Sequence, residues 1–208
     1  MPRESDLQRL ERMIQYETPL WERGERVAGM DEVGRGPLAG PVVTACVIID
    51  RDKLIPGVND SKKLSESKRE RLYGQLVEAA AYVKTGWRDH ARIDEINILN
   101  ATKEAMEEAA SGAEGAYFLI DAVQGLRLPG ESLSIVHGDA LSYMIAAASI
   151  VAKVTRDRYM IELDRKYPQY GFARNKGYGT AEHIAALRAY GPCPEHRLTF
   201  IGNIMKGI

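Results

Sequence analysis

The sequence predicts an α/β domain built on a mixed sheet flanked by helices, with a short N-terminal helical extension. Three observations carry this reading. Residues 41–50 are rich in β-branched side chains (Val42, Val43, Thr44, Val47, Ile48, Ile49), which suit a pleated, buried strand. Residues 117–120 and 132–136 are short apolar runs, consistent with strands inside a core. Stretches with helical spacing lie between and after them, so strands interleave with helices rather than following one another.

Taken in order, residues 5–23 place Leu7, Leu10, Met13 and Ile14 at helical intervals and reach Trp21. This gives an extension over 1–24 ahead of one domain over 25–208, a length that a single core can support. Residues 26–31 and 41–50 are the first two strands. Pro56-Gly57-Val58-Asn59-Asp60 is turn chemistry, and Ser67 with Glu70 has the spacing of a capping box that opens a helix. Residues 82–87 supply a third strand. Residues 94–110 set Ile96, Leu99 and Met106 among acids and alanines, the pattern of a surface helix. After the strands at 117–120 and 132–136, residues 140–167 form a long helix, apolar on all sides at first and charged later. Its first half therefore belongs in the core. Residues 181–189 make a last short helix.

A net charge of −1 favours neither a nucleic acid nor a membrane for the chain as a whole. The charges are nevertheless uneven: acids dominate residues 89–121, and Lys and Arg dominate 151–188. The basic third suits a phosphate backbone, although solvated helix faces explain such runs equally well. Cys46 and Cys193 are too few for a disulfide framework and read as free thiols of a reducing compartment. The first residues are charged and lack an apolar signal segment. The longest uncharged helical run, 140–152, falls well short of the roughly 20 residues that span a bilayer. A cytoplasmic protein without a membrane partner is expected.

The sharpest local feature is a pair of acids, Asp31 and Glu32, that interrupts an apolar strand, where an unpaired carboxylate is costly. Asp121 ends the 118–120 run in the same way, and Asp139 stands just before the long apolar helix. A strand that simply ends in water accounts for the first pair, and an N-cap accounts for Asp139. Four acids at the ends of separate core elements, however, can converge, and a cation would stabilise that crowding. An all-oxygen set selects a hard ion, Mg2+ or Mn2+. His90, His137, His183 and His196 lack zinc-like spacing. Neighbouring strand residues face opposite sides, so a bend starting at Glu32, permitted by Gly34-Arg35-Gly36-Pro37, is needed to unite the first two acids. The same glycines do not form a dinucleotide loop, because a strand rather than a helix follows them.

Asp31-Glu32-Val33-Gly34-Arg35-Gly36-Pro37-Leu38-Ala39-Gly40-Pro41-Val42 closely resembles the signature of bacterial ribonuclease HII. The resemblance continues through Asn59-Asp60-Ser61-Lys62-Lys63-Leu64, Leu119-Ile120-Asp121-Ala122, Gly138-Asp139-Ala140, the segment 146–158 and Lys176-Gly177-Tyr178-Gly179-Thr180. It implies a ribonuclease-H-like fold and an endonuclease that cuts the RNA strand of RNA–DNA hybrids and cuts at ribonucleotides embedded in DNA. Two divalent ions, Mg2+ or Mn2+, would sit on Asp31, Glu32, Asp121 and Asp139, and the products would carry 3′-hydroxyl and 5′-phosphate ends. Substrate contacts would map onto Gly34, Arg35, Gly36 and Tyr178 at the ribose, and onto Asn59, Ser61 and Lys62 at phosphate. The enzyme is expected to be a monomer. Asn175 and His137 depart from the family, whose members often have His and Lys there. Two alternatives are a nuclease of the same fold with another substrate, and a non-catalytic nucleic-acid-binding module stabilised by a structural ion.

Overall fold

A computed structural model describes residues 5–206; the first four residues of the expected extension and the last two of the main domain lie outside them. Chain order is α1 (Asp6–Met13), α2 (Thr18–Glu22), β1 (Arg26–Val33), β2 (Val42–Ile49), α3 (Glu66–Ala79), β3 (Ala80–Arg88), α4 (His90–Ile96) and α5 (Ile98–Ala110). Then come β4 (Ala116–Asp121), β5 (Ser132–Ile135), α6 (Gly138–Leu141), α7 (Tyr143–Lys166), α8 (Phe172–Asn175), α9 (Ala181–Tyr190) and α10 (Leu198–Met205). The five strands form one sheet in the order β3-β2-β1-β4-β5. β1 pairs antiparallel with β2 and parallel with β4, so the expected mixed sheet is present.

Alternation along the strands divides the core into two layers. Val27, Val47 and Leu119 face α7 and α3, while Ala28, Met30, Cys46, Phe118 and Ile120 face the Met106–Ala110 turn of α5. Gly29 lets β1 meet the start of α7 backbone to backbone: a Cβ there would lie 2.0 Å from the Met144 carbonyl carbon. In the stretch before β1, Met13 and Leu20 pack into the α7 layer. Buried Glu17 accepts hydrogen bonds from the Ser142 hydroxyl (2.6 Å) and the Met144 amide (2.9 Å), capping α7 from outside its own sequence.

Several boundaries differ from the sequence expectation. The helix read at 94–110 is two helices, broken where Asn97 takes a left-handed φ of 67° and its side chain caps Leu99 and Asn100. The helix read at 140–167 is likewise split, with Ser142 capping α7. The cap of α3 is Ser65, which accepts from the Lys68 amide, and Ser67 lies within the first turn. The strand β1 does not bend at Glu32 but stays in register with β2 through Val33.

Candidate active site

The parallel ladder explains how two of the acids meet. Met30 pairs with Ile120, so the next residues, Asp31 and Asp121, emerge side by side on the α7 face just as the ladder ends. Asp139, in the single turn of α6, completes a cluster in which one carboxylate oxygen from each acid lies within 4.8 Å of the others. Asp31 is 4% exposed and Asp139 5% exposed. Burial, then the charges of Glu32 and Asp121, push the Asp31 carboxyl well above the ordinary range. Asp121 is also raised, first by burial and also by Asp139, although the Gly138 amide donates to its Oδ1 at 2.7 Å.

Glu32 belongs by alternation to the other side of β1 and stands outside the three-acid cluster, but together with Asp31 it lines a pocket of about 160 Å³. Its Oε1 accepts from Arg35 (3.2 Å), whereas its buried Oε2 has no hydrogen-bond partner among the described residues. Two left-handed residues, Ala122 (φ 49°) after Asp121 and His137 (φ 57°) before Gly138, shape the loops that carry these acids. Such backbone strain in non-glycine residues concentrates at functional sites.

The remaining expected contacts fall into four groups. Lys62 reaches Asp139 with its ammonium (3.1 Å) and lines the acid pocket together with Tyr178, whose side is 42% exposed. Gly34, Arg35 and Gly36 form the loop after β1; a Cβ on Gly36 would lie 3.9 Å from the Tyr178 ring, so loop and ring are neighbours. Ser61 is buried, its hydroxyl 2.7 Å from that of Ser149, and Ser149 in turn hydrogen bonds Asp31. Asn59 lies elsewhere. It lines a separate groove with Arg9, Lys63 and Lys68.

Sequence reasoning missed four residues that organise this site. Besides Ser149, Lys153 lines the pocket, its ammonium 2.7 Å from Asp157 and its pKa lowered by burial. The other two are fully buried arginines. Arg156 donates to the carbonyls of Pro41 (2.9 Å), Ala39 (3.2 Å) and Lys176 (2.9 Å), tying the loop after β1 to the segment that carries Tyr178. Arg197 donates to the carbonyls of Gly40, Arg35 and Gly34. Burial lowers both guanidiniums, yet both remain charged at neutral pH. Neither was visible as a site residue, because its partners are backbone carbonyls far away in sequence. Asn175 braces the same segment, donating to the Tyr170 carbonyl and accepting from the Gly177 amide.

The family model described as Ribonuclease HII matches residues 28–203. A Ribonuclease HII of Caldanaerobacter subterraneus subsp. tengcongensis is 52% identical, over 98% of this chain and 86% of the relative. One from Geobacillus thermodenitrificans is 53% identical, over 93% of this chain and 75% of the relative. Among solved structures, the ribonuclease H2 of Pyrococcus horikoshii superposes with a TM-score of 0.73 at 27% identity, covering 88% of this chain and 98% of that one. With its mixed sheet and acid cluster, this chain belongs to the ribonuclease HII family of RNA–DNA hybrid endonucleases.

Proposed function

We propose that the chain cuts the RNA strand of hybrids, and also cuts at single ribonucleotides within duplex DNA, leaving 3′-hydroxyl and 5′-phosphate ends. Two divalent ions, Mg2+ or Mn2+, would be held by Asp31, Glu32, Asp121 and Asp139. The observation that carries this reading is the crowding of three carboxylates within 4.8 Å beside a buried Glu32 oxygen that lacks a partner among the described residues. An all-oxygen anionic set of this kind fits a hard cation and disfavours soft ones. When bound, such ions supply Lewis acidity toward phosphate oxygens and toward the attacking water.

The protein groups do the positioning. The Gly138 amide fixes Asp121, and Ser149, braced by Ser61, fixes Asp31. Lys62, largely exposed beyond its contact with Asp139, places a positive charge where a scissile phosphate would enter. Gly34, Arg35 and Gly36 offer a backbone that a ribose can approach closely, and the 2′-hydroxyl distinguishes RNA from DNA there. The Tyr178 ring, beside Gly36, forms a wall for the neighbouring sugar. Asn59, in the adjoining groove with Arg9 and Lys63, would contact phosphate farther along the strand. The enzyme would act as a monomer in the cytoplasm. The described helices include none long and apolar enough to cross a membrane.

The test is cleavage, in Mg2+ and in Mn2+, of a DNA duplex holding one ribonucleotide, a long hybrid and an all-DNA duplex. Cutting of the first two beside the ribonucleotide, with the third intact, is expected. Stepwise release of mononucleotides, or binding without cleavage in either metal, would overturn the reading.

A further inference from the structure

We propose that the buried pair His183–His196 positions Tyr178, holding its backbone carbonyl through a chain of hydrogen bonds that runs in one direction only. The inference rests on the reading of Tyr178 as the residue that walls the sugar.

The two rings lie 0% and 1% exposed, with their Nε2 atoms 3.0 Å apart. His183 Nδ1 lies 2.9 Å from the Tyr178 carbonyl oxygen, and the Cys193 amide lies 2.9 Å from His196 Nδ1. A carbonyl only accepts, so His183 carries its proton on Nδ1. In a neutral ring its Nε2 is then an acceptor, and His196 must donate from Nε2. That leaves a lone pair on His196 Nδ1, which is what the Cys193 amide requires. One pair of tautomers therefore satisfies both ends of the chain. The opposite pair would set a bare nitrogen against the Tyr178 carbonyl.

The surroundings favour uncharged rings. Tyr170 and Phe172 pack against both imidazoles, with centroids 4.8 to 6.3 Å away. The titratable neighbours are the Cys193 thiol, Glu195 beside His196 in the chain, and His90 on α4, which lies 3.8 Å from Glu195. Among the described residues, no carboxylate hydrogen bonds to either ring. Burial lowers both histidines, His196 to about 4, which agrees with the neutral pair.

The anchored segment needs such a brace. Lys176 (φ 51°) and Gly177 (φ 84°) are left-handed, and Tyr178 lies in no helix or strand. Among the described residues its carbonyl otherwise accepts only the local Thr180 amide (2.8 Å). The pair thus links an exposed, substrate-facing ring to α9 and to the Cys193–His196 turn, outside the acid pocket.

The experiment compares His183→Leu, His183→Asn, Tyr178→Ala and the double variant His183→Leu/Tyr178→Ala on a single-ribonucleotide duplex, with the melting temperature and Mn2+ affinity of each. His183→Leu should lower kcat roughly tenfold with little change in KM or metal affinity, since small misalignment costs rate steeply. His183→Asn, whose amide nitrogen can take the place of Nδ1, should restore most of the rate. In the Tyr178→Ala background, His183→Leu should add no further loss. An impaired Tyr178→Ala beside a fully active His183→Leu, or losses that multiply, overturns the histidine role alone. An unimpaired Tyr178→Ala removes the recognition reading and this proposal with it. Nitrogen NMR of the unmodified enzyme at pH 7 gives a check that needs no variant. His183 should be protonated on Nδ1 and His196 on Nε2; reversed tautomers or a charged ring overturn the proposal.

Discussion

Replacing Asp121 by asparagine removes one charge from the acid cluster while keeping the oxygen that accepts the Gly138 amide. In metal-free enzyme two opposing effects can be weighed. At a separation of at most 4.8 Å and an effective dielectric of about 20, each ionised pair repels by about 3.5 kcal/mol or more. Asp121 has two such neighbours, Asp31 and Asp139. Lys62 beside Asp139 and the raised pKa of Asp31, which retains its proton longer, remove much of that repulsion. A residual gain of about 2 kcal/mol on charge removal is expected, or roughly 4–8 °C in melting temperature for a chain of this size. The sign follows from linkage: carboxyls with raised folded pKa values are least costly when protonated, and the cost grows as pH rises through those values. The gain should therefore be larger at pH 8 than at pH 5. Calorimetry in chelator should show Asp121→Asn melting above wild type, with the order reversed in saturating Mn2+, where only wild type gains. Cleavage should be abolished. A variant that melts below wild type without metal, or that turns over normally in saturating Mg2+, would refute both the crowding argument and the assignment.

Tyr178→Ala should lose far more activity on a single embedded ribonucleotide than on a long hybrid, with Mn2+ affinity unchanged; steady-state kinetics on both substrates decide it. Gly29→Ala should destabilise the fold by more than about 3 kcal/mol in urea titration, because the added carbon meets the Met144 backbone, which cannot yield as a side chain can. His196, lowered to about 4 from 6.5, should contribute stability that is fully present above pH 6.5 and lost as pH falls toward 4, on the order of 3 kcal/mol. Acid titration of His196→Gln, whose amide preserves the donor to His183, should show a shallower decline over that window than wild type.

The strands were legible because their residues carry the signal themselves: the β-branched run of β2 and the apolar segments of β4 and β5 all formed sheet. The three clustered acids were legible because each ends or adjoins such a run. The helix breaks were not. Asn97 and Ser142 each interrupt a helical pattern by turning a side chain back onto the next amides, which periodicity does not register. α10 was missed for a different reason: the amides of Leu198 and Thr199 are capped by Asp94, a partner supplied from α4. The same distance in sequence hid Arg156 and Arg197. A lone arginine in a charged stretch reads as solvated, and only the folded chain shows that its partners are carbonyls of the loop after β1. No bend unites Asp31 and Glu32; the end of the ladder, where β1 runs on past its last partner in β4, instead sets Asp31 beside Asp121.

The loop at residues 34–41 is closed by groups that arrive late in synthesis. Gly40 donates to the Glu195 carbonyl, Arg197 donates both its own amide and its guanidinium to the loop, and Ala39 bridges to His196. The sheet and its three acids are all encoded before residue 140, whereas these ties to the loop are encoded only at residues 195–197. A chain stopped short of residue 195 would still hold the loop by Arg156 at Ala39 and Pro41, but without the ties from Glu195, His196 and Arg197.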